Sequence, residues 1–155
     1  METTRHFTAT VYVVHDGATA LHEHPRLGIR VPPGGHVDRD ELPHRAGIRE
    51  VREETGLDPT LLTEADPFEV EAGRSLPRPR HRMLYDVNVH DGDVGHQHVD
   101  SIFYATVDRR ELDPADDEPD HDAWRWYAAA DLRSGGFDAD VARFGREAIE
   151  LARER

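Results

Sequence analysis

The chain has 155 residues, 37% of them hydrophobic, and carries 32 acidic against 19 basic side chains for a formal charge of −13. A field of that sign repels nucleic-acid backbones, and no run approaches the ~18 consecutive apolar residues of a membrane span, so neither a nucleic-acid polymer nor a membrane is an expected partner. Cysteine is absent, which excludes disulfides, thiolate metal ligands and a cysteine nucleophile, and the length suits one domain over residues 1–155.

Residues 7–14, rich in β-branched and aromatic side chains, predict a strand; Asp16-Gly17 predicts a hairpin turn and residues 19–23 a return strand. The polar loop His24-Pro25-Arg26 and a short strand over 28–31 lead to Pro32-Pro33-Gly34-Gly35. That segment reads as a stiff loop whose bare backbone lets a phosphate or metal come close. A helix follows, with Pro43 suited to its first position and Gly56 to the residue just past its end. At about 100° per residue, Glu50, Glu53 and Glu54 fall within roughly a quarter turn of one another, while Ile48, Val51 and Thr55 lie on another side. Like charges four apart cost an isolated helix ~0.2–0.5 kcal/mol, so helix stability does not account for the patch. A hard divalent cation with oxygen ligands does, and a solvated acidic face with Arg49 pairing to Glu53 is the bland alternative.

Beyond the helix, residues 68–72 read as a short strand. The proline-rich run over 74–82 holds four arginines, the one clearly basic patch of the chain. Its Arg78, Arg80 and Arg82 are candidates for capturing a substrate phosphate or carboxylate, against a solvated loop pairing with surface acids. Residues 83–90 and 99–107 predict strands joined through Asp91-Gly92-Asp93. In the intervening His96-Gln97-His98-Val99-Asp100, strand alternation would put His96, His98 and Asp100 on one face. That face could serve the substrate cleft, with His98 or Asp100 on a phosphate or sugar, or hold a transition metal, or be merely exposed. An acidic loop over 113–122, an aromatic strand over 124–127, a helical turn over 129–132 and a final helix complete the pattern. Asp138 is placed to cap that helix, whose Val141, Phe144, Ala148 and Leu151 have amphipathic spacing. Phe103, Tyr104, Trp124, Trp126 and Tyr127 read mainly as core rather than as a platform for a base.

The stretch over residues 35–57 resembles the Nudix box, G-x5-E-x7-R-E-U-x-E-E-x-G-U with U a bulky aliphatic. Gly35, Glu41, Arg49, Glu50, Val51, Glu53, Glu54, Gly56 and Leu57 match every fixed position. A chance match at nine positions is on the order of one in a million, which makes this motif specific where most are weak. The resemblance implies an α/β fold, an α/β/α sandwich with a mixed β-sheet between helices. It implies an Mg²⁺- or Mn²⁺-dependent hydrolase of a diphosphate linkage in a small-molecule nucleotide substrate, a nucleoside diphosphate derivative or a nucleoside triphosphate. By position in the box, Glu50, Glu53 and Glu54 would be metal ligands, joined by the Gly34 carbonyl, with Glu41 as an outer or occasional ligand. Arg49 would hold Glu50 in place. The general base would be Glu50 or an acid from the loop over 116–122, where Glu118 and Asp120 stand.

Neither the proline of ADP-ribose hydrolases nor the tyrosine of dinucleoside polyphosphate hydrolases is found downstream, where Gly73 and Arg74 stand. Both subfamilies fit less well. Isopentenyl diphosphate isomerisation would need a cysteine. A non-catalytic, nucleotide-sensing Nudix module is the alternative to an enzyme, although such modules usually lack a box glutamate and this chain lacks none. The N-terminal Met1-Glu2-Thr3-Thr4-Arg5-His6 has no apolar core of a signal peptide, so a cytoplasmic location is expected. Every one of the 19 basic side chains is arginine. With the surplus of acids this resembles the halophilic proteins of salt-loving organisms, and a GC-rich genome would explain the arginines but not the acids. The sequence leaves a homodimer open.

Overall fold

The computed structural model describes residues 2–24 and 28–155. Of the predicted His24-Pro25-Arg26 loop, Pro25 and Arg26 lie outside the described residues, as does Met1 of the amino terminus.

Two Asp-Gly turns set the strand pairings. Asp16 and Gly17 have φ of 49° and 78°, and Asp91 and Gly92 have 52° and 83°. Left-handed pairs of this kind match the twist of a two-residue hairpin, and aspartate and glycine tolerate them best. The first joins β1 (Thr4–His15) to β2 (Ala18–Glu23), and the second joins β8 (His81–His90) to β9 (Asp93–Thr106). Between the hairpins lie β3 (Arg30–Val31), β4 (Gly34–His36), α1 (Pro43–Thr55), β5 (Thr60–Leu61) and the small pair β6 (Glu69–Val70) and β7 (Gly73–Arg74). After them come β10 (Trp124–Ala128), α2 (Ala129–Arg133) and α3 (Ala139–Arg153).

The main sheet has the order β10-β2-β1-β9-β5, with β3 beside β2, β4 beside β1 and β8 beside β9. It is mixed because β1 and β9 run parallel, from Thr4 opposite His96 to Val14 opposite Thr106, while the other pairs are antiparallel. Alternation along β1 and β9 gives each face its own core. Ala9, Val11, Val13, Phe103 and Ala105 pack with Val51 and Ala46 of α1. Tyr12, Val14, Ile102 and Tyr104 pack with Val141, Phe144, Ala148 and Ile149 of α3. Each large apolar side chain buried this way contributes about 1.5–3 kcal/mol. The fold is the expected α/β class, a mixed sheet between helices.

Three local expectations change. Residues 68–72 are not one strand: Glu69–Val70 turns back to pair with Gly73–Arg74. Gly34 and Gly35 do not form an open loop: they belong to β4, with Thr10 opposite Gly34 and Ala9 opposite Gly35. And β9 begins at Asp93 rather than at residue 99, because the hairpin with β8 pairs it from His90 opposite Asp93 and the contact with β1 joins from Thr4 opposite His96. The pairings of β1 with β4 and β9 join segments distant in sequence, to which local pattern is blind.

Candidate active site and the adjoining cleft

Helix α1 starts at Pro43, whose missing N–H costs nothing in the first turn, and stops at Gly56 with φ 73°, its N–H donating to the Arg52 carbonyl. Between these ends, Val51 and Thr55 are buried against the sheet. That seating fixes the rotation of the helix, and with it the direction of the glutamates.

Arg49 organises the outer part of the patch. Its guanidinium donates in a fork to Glu41, Nε to Oε2 at 2.8 Å and Nη2 to Oε1 at 2.9 Å. Nη1 donates to Glu50 Oε1 at 3.0 Å and to Glu53 Oε2 at 3.2 Å, and Nη2 also donates to the His36 carbonyl at 3.0 Å. The hydrogen bonds to Arg49 hold the Glu41 carboxyl below its ordinary value and, chiefly through Glu41, raise the guanidinium. Glu41 is therefore the carboxylate that braces Arg49, and its two oxygens are taken up by that fork.

The inner part lacks such compensation. Glu54 is 9% exposed and its Oε2 accepts from the Gly34 N–H at 2.9 Å. Burial pushes its carboxyl up to about 8 against that hydrogen bond, and Glu50, Glu118 and Glu53 push it further in the same direction. Burial also raises Glu50, Arg49 pulls it down, and Glu53 and Glu118 add to the rise. Gly35 faces the Glu50 carboxylate so closely that a Cβ there would collide with it. The glycine thus serves to admit a glutamate, where the bare-backbone reading had expected a phosphate or metal.

Glu118, from the loop beyond β9, stands among these acids. Its strand-side neighbours Asp113 and Ala115 donate backbone N–H groups to the Thr55 and Glu53 carbonyls, each at 2.8 Å, which ties that loop to the end of α1. Burial raises Glu118, and Asp117 and Glu53 raise it further. Asp120 is engaged elsewhere, accepting from the His121 N–H at 2.7 Å and capping a short 3-10 turn.

Glu54 also opens onto a cleft of about 710 Å³ on the α3 face of the sheet, lined there by Thr8, Thr10, Tyr12, Tyr85, His98 and Asp100. Asp100 is buried; its Oδ2 accepts from the Thr10 hydroxyl at 2.7 Å, while its Oδ1 has no partner. Burial pushes its carboxyl up to about 6 against the pull of the Thr10 and Thr8 hydroxyls beside it, and Asp140 adds to the rise. A buried acceptor or donor with nothing to bond points to a ligand group as its partner. His98 and Asp100 are thus brought together as strand alternation predicts, whereas His96 lies further along the face, outside the cleft lining.

The three arginine candidates are not brought to this cleft. Arg82 pairs with Ser101 and shares its face, opposite to that of Asp100, and with Arg78 it lines a depression by Pro43 at the start of α1. Arg80 lies in another hollow with Arg155. The one-residue alternation of β8 separates Arg82 from the cleft, because Met83 pairs with Asp100 and Tyr85 with His98. Sequence reasoning missed Tyr12, Tyr85 and Asp140; Tyr85 donates to Asp140 at 2.7 Å across the gap between β8 and α3. The signal was present in Thr8, Thr10 and Tyr12, a polar stripe of period two. Asp138 takes the N-cap position of α3 without a side-chain cap bond and lines the cleft instead. Phe103, Tyr104 and Trp124 are buried core, Trp126 lies under Arg110 and Tyr127 against Phe137.

The donor set suits a hard divalent cation. Glu50, Glu53 and Glu54 offer only oxygens, the carbonyl of Gly34 is adjacent to the N–H that Glu54 accepts, and the partial burial of Glu50 and Glu54 leaves negative charge that Arg49 offsets only in part. Replacing protons with a cation is the natural way for these carboxyls to be ionised together.

Against known proteins, a family model described as the NUDIX domain matches residues 4–150. No curated protein matches the chain. Among solved structures, a NUDIX-family hydrolase from Clostridium perfringens is 32% identical, with a TM-score of 0.84 over 96% of this chain and 99% of that one. A MutT NUDIX hydrolase from Burkholderia pseudomallei is 25% identical, with a TM-score of 0.60 over 96% and 98%. The E. coli dihydroneopterin triphosphate pyrophosphohydrolase, 16% identical with a TM-score of 0.61 over 96% of each chain, shares the fold.

Proposed function

The chain belongs to the Nudix family and is a hydrolase of diphosphate linkages, and from that premise we propose that it cleaves a nucleoside triphosphate or nucleoside diphosphate derivative with Mg²⁺ or Mn²⁺. The observation that carries this reading is Glu54: a buried carboxyl raised to about 8, among three other acids, at the mouth of a cleft.

Glu50, Glu53 and Glu54, with the Gly34 carbonyl, would hold the cation. When bound, it supplies positive charge to the phosphate oxygens and makes water a better nucleophile. Arg49, braced by Glu41, fixes Glu50 and Glu53 so that little reorganisation is needed when substrate arrives. Glu118 is the preferred general base: no ion pair engages it among the described residues, and its raised pKa suits it to accept the proton of a water attacking phosphorus. Glu50, held by Arg49, is the second candidate. Asp100 receives a hydrogen bond from, or gives one to, the base or sugar, with His98 beside it.

Outside the site, the surplus of acids with arginine as sole basic partner supports work in strong salt, where screening relieves self-repulsion, as in a salt-rich cytoplasm. No helix among the described residues is long and apolar enough to cross a membrane.

The test is release of phosphate or nucleotide from a panel of nucleoside triphosphates and diphosphate derivatives, in Mg²⁺ and Mn²⁺, at low and molar KCl, with Glu53→Gln alongside. Cleavage of one substrate group by the wild type only is the expected result. Saturable nucleotide binding with no product in any salt would replace the enzyme reading with that of a nucleotide sensor.

A further inference from the structure

Four histidines from three strands converge on the α3 face of the sheet, at the end of the cleft that His36 and His98 also line. The register puts His6 of β1 opposite His98 of β9, and Thr8 of β1 opposite His36 of β4, so these side chains share a face with His96 two residues before His98. The rings close a circuit: His6 to His96 at 4.6 Å, His96 to His98 at 5.2 Å, His98 to His36 at 5.1 Å and His36 back to His6 at 5.1 Å between centroids. One ring nitrogen from each of His6, His96 and His98 lies within 4.8 Å of the other two.

We propose that His6, His96 and His98, with His36 as a fourth donor, form a site for a transition-metal ion of the Zn²⁺ class, separate from the carboxylate site of α1. A transition-metal ion takes the lone pairs of neutral rings. Protonated imidazoles this close would repel one another, and among the described residues the ion pairs made by histidines belong to His81 and His121, not to these four. Burial and its three imidazole neighbours hold His98 below its ordinary value. Imidazole nitrogens are the donors that Zn²⁺, Ni²⁺ and Cu²⁺ prefer and that Mg²⁺ does not.

The second layer is in place for one ligand. The Thr4 hydroxyl donates to the Gly95 carbonyl at 3.3 Å, which leaves its oxygen to accept from His96 Nδ1 at 2.7 Å. That assignment leaves the lone pair of His96 on Nε2, the usual way an outer hydrogen bond orients a histidine ligand. In a tetrahedral site with metal–nitrogen bonds of about 2.0–2.1 Å, the nitrogens stand roughly 3.3 Å apart. Small side-chain rotations close that difference, and His6 and His36 are exposed and free to make them. Such an ion would clamp the amino end of β1 to β4 and β9.

The experiment uses the untagged protein, stripped with chelator, titrated with Zn²⁺ against a chromophoric competitor and followed by thermal melting; Co²⁺ gives a visible spectrum. One equivalent that raises the melting temperature and survives Glu53→Gln is expected. His6→Ala with His96→Ala should weaken Zn²⁺ by about 100-fold or more and abolish the thermal shift, and Thr4→Val should weaken it by about tenfold. Zn²⁺ affinity unchanged in the double variant overturns the proposal, as does loss with Glu53→Gln alone, which would assign the ion to α1. Binding of inorganic phosphate that depends on His6 and His96, without Zn²⁺ binding, would also overturn it in favour of an anion site. Because the histidine variants are read by binding as well as by melting, a folded variant with wild-type affinity is decisive, and failure of the proposed hydrolase activity leaves this result untouched.

Discussion

Glu54 and Glu147 are both glutamates on amphipathic helices, pressed against opposite faces of the same sheet, yet their surroundings have opposite character. Glu147 on α3 accepts from His81 at 2.7 Å, from Tyr104 at 2.8 Å and from Arg143 at 3.0 Å. Burial pushes its carboxyl up, but these partners pull it down to about 2. Glu54 on α1 accepts one backbone N–H, has acids for neighbours, and stands at about 8. The chain has completed the shell of one carboxylate and left the other short of positive charge. A finished shell serves stability; an unfinished one that opens onto a cleft serves a ligand.

The largest expected effect comes from the unfinished side. Glu53→Gln removes a charge from the patch and should lower kcat by about 10³-fold or more, the scale of losing several kcal/mol of electrostatic stabilisation. Its melting temperature should stay near that of the wild type, since Glu53 is only half-buried. Retained turnover would remove Glu53 from the site. Next, Gly35→Ala should lower kcat by about 10²-fold with a folded protein, because the added methyl displaces the Glu50 carboxylate. A crystal structure of that variant with Glu50 unmoved and full activity would show that its position is unimportant.

On the finished side, Glu147→Gln should leave turnover unchanged and cost ~1 kcal/mol of stability after allowance for the carboxylate's partial exposure. The pH dependence follows from the sign of its shift. The folded value, about 2, lies below the ordinary 4.5, so its contribution is complete above about pH 4.5 and is lost as pH falls through the folded value. The gap between wild type and Glu147→Gln in urea unfolding should therefore be wide at pH 7 and narrow at pH 3. A gap that widens in acid would invert the comparison.

The smallest effect separates bulk charge from the site. Molar KCl should raise the melting temperature by a few degrees, on the order of 1 kcal/mol, by screening the net charge of −13. It should not replace Mg²⁺ in turnover, since a monovalent ion at surface distance cannot neutralise a buried carboxyl. Activity in KCl with chelator present would break the link between Glu54 and a divalent cation.

Sequence alone determined the box helix, its ends and the patch of Glu50, Glu53 and Glu54, because a 3.6-residue period, a first-turn proline and a left-handed glycine are set by local backbone geometry. It also made the α/β class legible, through the alternation of strands and the two amphipathic helices. Tertiary structure alone decided what depends on register between distant segments. The pairing of β1 with β4 turned an expected loop into a strand whose Gly35 admits Glu50. The pairing of β8 with β9 turned Arg82 away from the cleft while bringing Tyr85 into it. The parallel contact of β1 with β9 set Thr10 against Asp100, some 90 positions apart, and together with β4 gathered four histidines that the sequence scatters from residue 6 to residue 98. A carboxylate's identity is written in the chain, but its pKa is set by desolvation and by the charges the fold brings near, so only the folded molecule could tell Glu54 from Glu147.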